Sequence, residues 1–179
     1  MVVHVYNRGV NRSKLFFTLW NYDFFVTRME RFLPPSGIAI LAYCLMPNHY
    51  HLLLQVHEDR LSKAMQRMTM SYATSLNNVY RRTGPVFTGR YRTVPVVSDG
   101  QLVHVSGYIH RNPVVGGMVE DPEDWPYSSF REYLGVRKTR WVSTDTILGL
   151  FAQGGAPSAA AARTAYRDFV LDTPPPAKD

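Results

Sequence analysis

Between Ile38 and Val56 the chain runs two apolar stretches back to back, parted only by Pro47-Asn48. Ile38 to Leu45 carries no charge or amide, so as a strand it must be covered on both faces. The Pro-Asn pair signals a tight turn, and the stretch after it alternates. Tyr50, Leu52, Leu54 and Val56 fall on one side of a strand, and His49, His51, Leu53 and Gln55 on the other, because successive side chains point to opposite faces. The pattern predicts an antiparallel pair in mid-sheet. One face packs under helices and the other displays two imidazoles side by side. Imidazole is a common ligand for divalent metals, so His49 and His51 are candidate metal ligands.

The flanking segments supply the rest of such a sheet. Val2 to Tyr6 is β-branched and aromatic and reads as a strand; Asn7 to Lys14 is a polar loop carrying Arg8 and Arg12. Leu19 to Leu33 has apolar residues at helical spacing, and Pro34-Pro35-Ser36-Gly37 stops it. Leu61 to Tyr80 is a second amphipathic helix whose three methionines serve as core filler. Arg81-Arg82-Thr83-Gly84-Pro85 ends it, and Tyr91 to Val97 reads as a fourth strand. The order strand, helix, strand, strand, helix, strand is the split βαβ, ferredoxin-like arrangement. The expected fold is therefore α+β, with a four-stranded antiparallel sheet, two helices on one face, and the other face left for a ligand or a further element.

Ser98-Asp99-Gly100 offers an N-cap to a third helix, Leu102 to Asn112, which Pro113 is expected to end. Ser128 to Leu134, Thr144 to Phe151 and Ala159 to Val170 read as further helices. The organisation expected is a main domain over 1–134, a helical C-terminal extension over 135–171 and a Pro-rich disordered tail over 172–179.

Lys and Arg outnumber Asp and Glu by 20 to 14, a formal charge of +6 with a pI near 9.6. An anionic partner is favoured, nucleic acid first. The one cysteine, Cys44, excludes an internal disulfide and reads as a small buried hydrophobe. With no signal peptide and no apolar run long enough to cross a bilayer, the chain is expected to be soluble and cytoplasmic.

Tyr108 and Asn112 stand at i and i+4 on the third helix and share a face, with His104 one turn earlier as a possible addition. If this helix crosses the open face of the sheet, a phenol nucleophile and an amide oxygen meet the two imidazoles. His110 points away from Tyr108 and reads as structural. Tyr127 is expected to pack beside Trp125, and Trp125 and Trp141 to anchor the C-terminal part.

Five segments together carry a family resemblance: His4-Val5-Tyr6-Asn7-Arg8-Gly9, Ala42 through Leu53, Gly89-Arg90-Tyr91-Arg92, Tyr108-Ile109-His110-Arg111-Asn112-Pro113-Val114, and Pro122 through Ser129. In these the chain resembles the HUH single-tyrosine transposases, and within them the REP-associated tyrosine transposase-like branch, over roughly Val2 to Leu134. The resemblance implies a metal-dependent endonuclease and strand transferase acting on single-stranded, often hairpin-bearing DNA. It maps the histidine pair onto His49 and His51, the nucleophile onto Tyr108 and the third metal ligand onto Asn112, with Mg²⁺ or Mn²⁺ as the cation. Contacts to DNA are expected from Arg8, Arg12, Arg81, Arg82, Arg90, Arg92 and Arg111, since guanidinium suits phosphate. Tyr6, Phe87 and Tyr91 are candidates to stack on unpaired bases. The wider family includes dimers that exchange the tyrosine helix, while the REP-associated branch is expected to be monomeric, so monomer and homodimer both stay open. Two rival readings keep the fold: a non-catalytic binder of hairpin DNA, and a metal-dependent phosphodiesterase acting on RNA or nucleotides. Neither needs Tyr108.

Overall fold

The computed structural model describes residues 1–57 and 60–173. Among them, four strands form one sheet: β1 (Val2–Arg8), β2 (Ala39–Met46), β3 (His49–Gln55) and β4 (Arg92–Val96). Their spatial order is β2-β3-β1-β4, and every neighbouring pair is antiparallel. This is the expected ferredoxin-like sheet. β4 lies at an edge, where Pro95 costs no ladder hydrogen bond to a further strand. A register shift between Ile40 and Ala42 bulges β2.

Alternation along the strands sorts two cores. On one face Val3, Val5, Tyr50, Leu52 and Leu54 pack under α1 (Leu19–Phe32) and α2 (Leu61–Val79), which contribute Tyr22, Phe25, Met29, Met65, Met68, Tyr72 and Leu76. Met65 and Met68 are the core filler expected of them, whereas Met70 is exposed. On the other face Leu41, Ala42, Cys44, Met46 and Leu53 meet α3 (Asp99–Val115), α4 (Phe130–Leu134), α5 (Asp145–Gln153) and α6 (Ala159–Asp172) through Leu102, Ile109, Phe130, Tyr133, Ile147, Tyr166 and Val170. The C-terminal helices thus complete the second core. The chain after α4 is tied directly to the sheet, where Ser143 N–H donates to the Ile40 carbonyl at 2.9 Å. Trp141 stacks on Tyr43, and Trp125 donates from Nε1 to the Leu45 carbonyl at 3.0 Å.

The C-terminal ends of α3 and α6 lie beyond those expected. Pro113 lies inside α3, which runs on to Val115. Proline lacks the N–H that would reach the Ile109 carbonyl, but only one bond near the end is forgone. The actual stop is Gly117, left-handed at φ 66°: Met118 N–H donates to the Pro113 carbonyl and Gly117 N–H to that of Val114, the Schellman pairing in which glycine escapes the Cβ clash. At the other end of the chain, Asp172 is helical and Thr173 is buried, its hydroxyl donating to the Phe169 carbonyl at 2.8 Å. Asp172 and Thr173, expected to belong to the tail, are therefore ordered parts of the fold, and 174–179 lie outside the described residues. Thr173 rests on α3 at Gly107, where a Cβ would come within 2.6 Å of Phe169 and 2.8 Å of Thr173.

Helices α3 to α6 cover β2 and β3. Arg92, Thr93, Val94 and Pro95 of β4 stay exposed. The candidate site lies where the helical cover ends, between α3 and the β1–β4 side of the sheet.

Candidate functional site

The β1–β3 register sets Tyr6 opposite His51 and Arg8 opposite His49. His4, two residues before Tyr6, shares its face and sits diagonally to His51. The rings of His49 and His51 are 5.1 Å apart and nearly perpendicular. Helix α3 then crosses this face, meeting the condition under which Tyr108 and Asn112 reach the two imidazoles. The Tyr108 ring stands edge-on to His51 at 5.4 Å and to His4 at 6.1 Å. Asn112 is buried with its Oδ1 3.3 Å from His49 Nε2. His49, His51, Tyr108 and Asn112 therefore converge. His104 is exposed and does not line the cavity described below. His110, as expected, faces the opposite way: it is buried, with Nδ1 2.7 Å from the Tyr166 hydroxyl and Nε2 2.7 Å from Ser129 Oγ.

Desolvation holds these imidazoles neutral, because burial disfavours the charged form. His4 is drawn down to about 4. His51 lies well below the ordinary range, through burial first and then repulsion from His4 and His49. His49 is lowered by burial, with the Asn112 contact acting in the opposite sense. Neutral imidazole has one N–H and one lone pair. Since His49 Nδ1 lies 2.7 Å from the Asn48 carbonyl oxygen Oδ1, Nδ1 is the donor and Nε2 carries the lone pair. That lone pair faces the Asn112 amide. Either the amide turns to donate from Nδ2, or a cation sits between two electron-pair donors. The set His49, His51 and Asn112 thus fits a divalent metal by its chemistry, with Asn48 orienting the first ligand as outer partners of metal-bound histidine do. No three His, Cys, Asp or Glu among the described residues are placed to hold a metal, so a metal bound here would need the amide oxygen.

A cavity of about 480 Å³ opens over this cluster, lined by Tyr6, Asn7, Arg8, Arg12, Asn48, His49, His51, Thr88, Gly89, Arg90, Arg92 and Tyr108. Four of the expected arginines are brought together here, exposed at its rim. Gly9 lets the loop after β1 turn tightly enough to place Arg12: a Cβ there would meet the Ser13 carbonyl oxygen at 2.1 Å. The structure puts other expected DNA-binding residues elsewhere. Arg82 lies over the Phe17 ring at 5.6 Å, and Arg81 follows the end of α2, so neither lines the cavity. Arg111 turns toward α6 and donates to the Val170 carbonyl at 3.3 Å. Phe87 packs into the α1–α2 core beside Tyr50 and Tyr72. Tyr91 packs against that core too, facing Ser62 and Gln66 of α2. Of the aromatic candidates, Tyr6 is the one at the cavity. The sequence alone points to no chemical role for Asn7, Asn48 or His4. Strand alternation would have placed His4 and Tyr6 on the face of His51, but no local pattern gives the diagonal pairing that brings His4 into contact.

A solved REP-associated tyrosine transposase bound to a REP hairpin superposes with a TM-score of 0.63 over 79% of this chain and 90% of that one, at 17% identity, which establishes likeness of fold. Residues 1–112 match the IS200-like transposase family, and the chain belongs to it. A Haemophilus influenzae protein provisionally named a REP-associated tyrosine transposase is 31% identical over 102 residues. That match takes in 50% of this chain, and the chain spans 57% of the relative's length. Among the described residues no helix is long and apolar enough to cross a membrane.

Proposed function

We propose that this chain cuts and rejoins single-stranded, hairpin-bearing DNA through a covalent link at Tyr108. The observation that supports this reading most is that Tyr108, His49 and His51 line one arginine-rimmed cavity, with Tyr108 and His51 5.4 Å apart between rings, and that the buried Asn112 reaches His49 at 3.3 Å. Arg8, Arg12, Arg90 and Arg92 hold the phosphates of the strand, and Tyr6 offers a face to an unpaired base. A divalent cation, Mg²⁺ or Mn²⁺, held by His49, His51 and Asn112 would polarise the scissile phosphate. The Tyr108 oxygen attacks phosphorus and gives up its proton; the bond from phosphorus to the 3′-oxygen breaks, and that oxygen leaves as a 3′-hydroxyl. Cleavage so written conserves one phosphodiester as a 5′-phosphotyrosine, so an incoming 3′-hydroxyl reverses it without ATP.

Incubating the protein with a hairpin-bearing single strand and Mn²⁺, then denaturing it, should leave a band of protein joined to DNA. Tyr108→Phe should abolish that band while retaining binding. Retained cleavage in Tyr108→Phe would favour the phosphodiesterase reading, and binding with no cleavage by the unaltered chain would favour the non-catalytic one.

A further inference from the structure

His4 is a third imidazole at the site for which metal ligation supplies no use. Its Nε2 lies 2.9 Å from His51 Nδ1, and the two rings are 5.1 Å apart with 26° between their planes. With Nε2 committed to His51, His4 does not join the ligand set, in keeping with the absence of a three-histidine group able to hold a metal among the described residues.

A hydrogen bond between two neutral imidazoles has two forms, and they have opposite consequences. In one, His51 Nδ1–H donates to His4 Nε2, and His51 Nε2 is left with its lone pair. In the other, His4 Nε2–H donates to His51 Nδ1. His51 then carries its single proton on Nε2 and is closed as a ligand there. The tautomer of His51 is thus set by its neighbour on β1. We propose that His4 is a positioning residue that accepts the His51 Nδ1 proton and so presents His51 Nε2 to a divalent cation. The proposal rests on the reading of His51 as a metal ligand. It gives His51 the same support that His49 receives from Asn48 Oδ1 at 2.7 Å: each candidate ligand has its far nitrogen fixed by an acceptor, the arrangement that tunes metal-binding histidines. The antiparallel register makes this possible, since His4 pairs with Leu53 and lies diagonally across from His51.

The test is Mn²⁺ binding to the full chain by calorimetry, without DNA, alongside ¹⁵N spectra that report which imidazole nitrogens are protonated. His4→Phe removes the acceptor but keeps a ring, and its Mn²⁺ affinity should fall about 10- to 100-fold. His4→Gln places an amide oxygen at about the reach of Nε2 and should recover most of the loss. His4→Asn, whose oxygen falls short at the Nδ1 position, should not. In the unaltered protein the His51 proton should reside on Nδ1, and in His4→Phe it should redistribute toward Nε2. Equal affinity in the unaltered protein and His4→Phe would overturn the role of His4 while leaving the metal reading intact. No Mn²⁺ uptake by the unaltered chain would overturn both. Should His4→Phe fail to fold, a stable His4→Gln that binds as weakly as His4→Asn overturns the proposal as well.

Discussion

His110 makes the stability of this fold depend on pH, and the size of the effect follows from its surroundings. The ring is buried between α3, α4 and α6, bonded to the Tyr166 hydroxyl and to Ser129 Oγ, and burial draws its pKa down to about 3. In the unfolded chain the same imidazole titrates near 6.5. Below that pH the unfolded state binds the extra proton, so the contribution is whole above about 6.5 and is lost as pH falls toward 3. Between pH 7 and pH 5 the loss is roughly 2 kcal/mol. His4, His49 and His51 shift in the same direction, so a comparison that keeps them is needed. His110→Gln retains a donor and an acceptor but takes no charge in this range. It should be less stable than the unaltered chain at pH 7, by about 1–3 kcal/mol for an imperfectly remade buried network. That gap should narrow by roughly 2 kcal/mol at pH 5. Urea denaturation of both proteins at pH 7, 6 and 5 reads it directly. Parallel stability curves would refute the argument, because they would mean that His110 takes up its proton without leaving the folded state.

Glu132 is buried with its side chain 3% exposed and receives a two-pronged bond from Arg137 at 2.8 and 2.7 Å. Glu132→Gln leaves that guanidinium without its charge partner and should lower unfolding free energy by about 3 kcal/mol, the lower end for a broken buried pair, because Arg137 is 29% exposed. Gly107→Ala would normally gain up to about 1 kcal/mol of helix propensity. Its Cβ would instead meet Phe169 at 2.6 Å, and overpacking of about 1–3 kcal/mol should make the urea midpoint fall. Replacing Arg8, Arg12, Arg90 or Arg92 by Ala should reduce the slope of log affinity for single-stranded DNA against log salt by about 0.7 for each phosphate that the guanidinium neutralises. Arg82→Ala, remote from the cavity on Phe17, should leave that slope unchanged.

What the sequence made legible was whatever repeats with a period. Alternation over His49 to Val56 assigned both faces of β3, and with the helical stripes of α1 and α2 it was enough for the sheet topology. The i, i+4 relation of Tyr108 and Asn112 placed them together because α3 is regular between them. Local rules failed where tertiary contact decides. Pro113 signals a stop, yet α3 runs further because the one missing terminal bond is offset by the Gly117 cap and by burial of Pro113 itself. Arginine in a loop can reach phosphate or cover a ring, and only the fold separated Arg90 from Arg82. Phe87 and Tyr91 flank Arg90 in sequence, but the segment before β4 packs both against the α1–α2 core. The acceptors beside the candidate ligands, Asn48 and His4, have opposite accounts. Asn48 is adjacent to His49 in the chain, whereas His4 meets His51 across 47 residues through the β1–β3 register.

In the proposed reaction Tyr108 supplies the oxygen of the covalent link. After reaction with a hairpin-bearing single strand and Mn²⁺, nuclease trimming and proteolysis should yield one modified peptide, and fragmentation mass spectrometry should place a nucleotide 5′-phosphate on Tyr108. The same modification found on Tyr6 or Tyr91, or cleaved DNA with no modified tyrosine, would contradict the account.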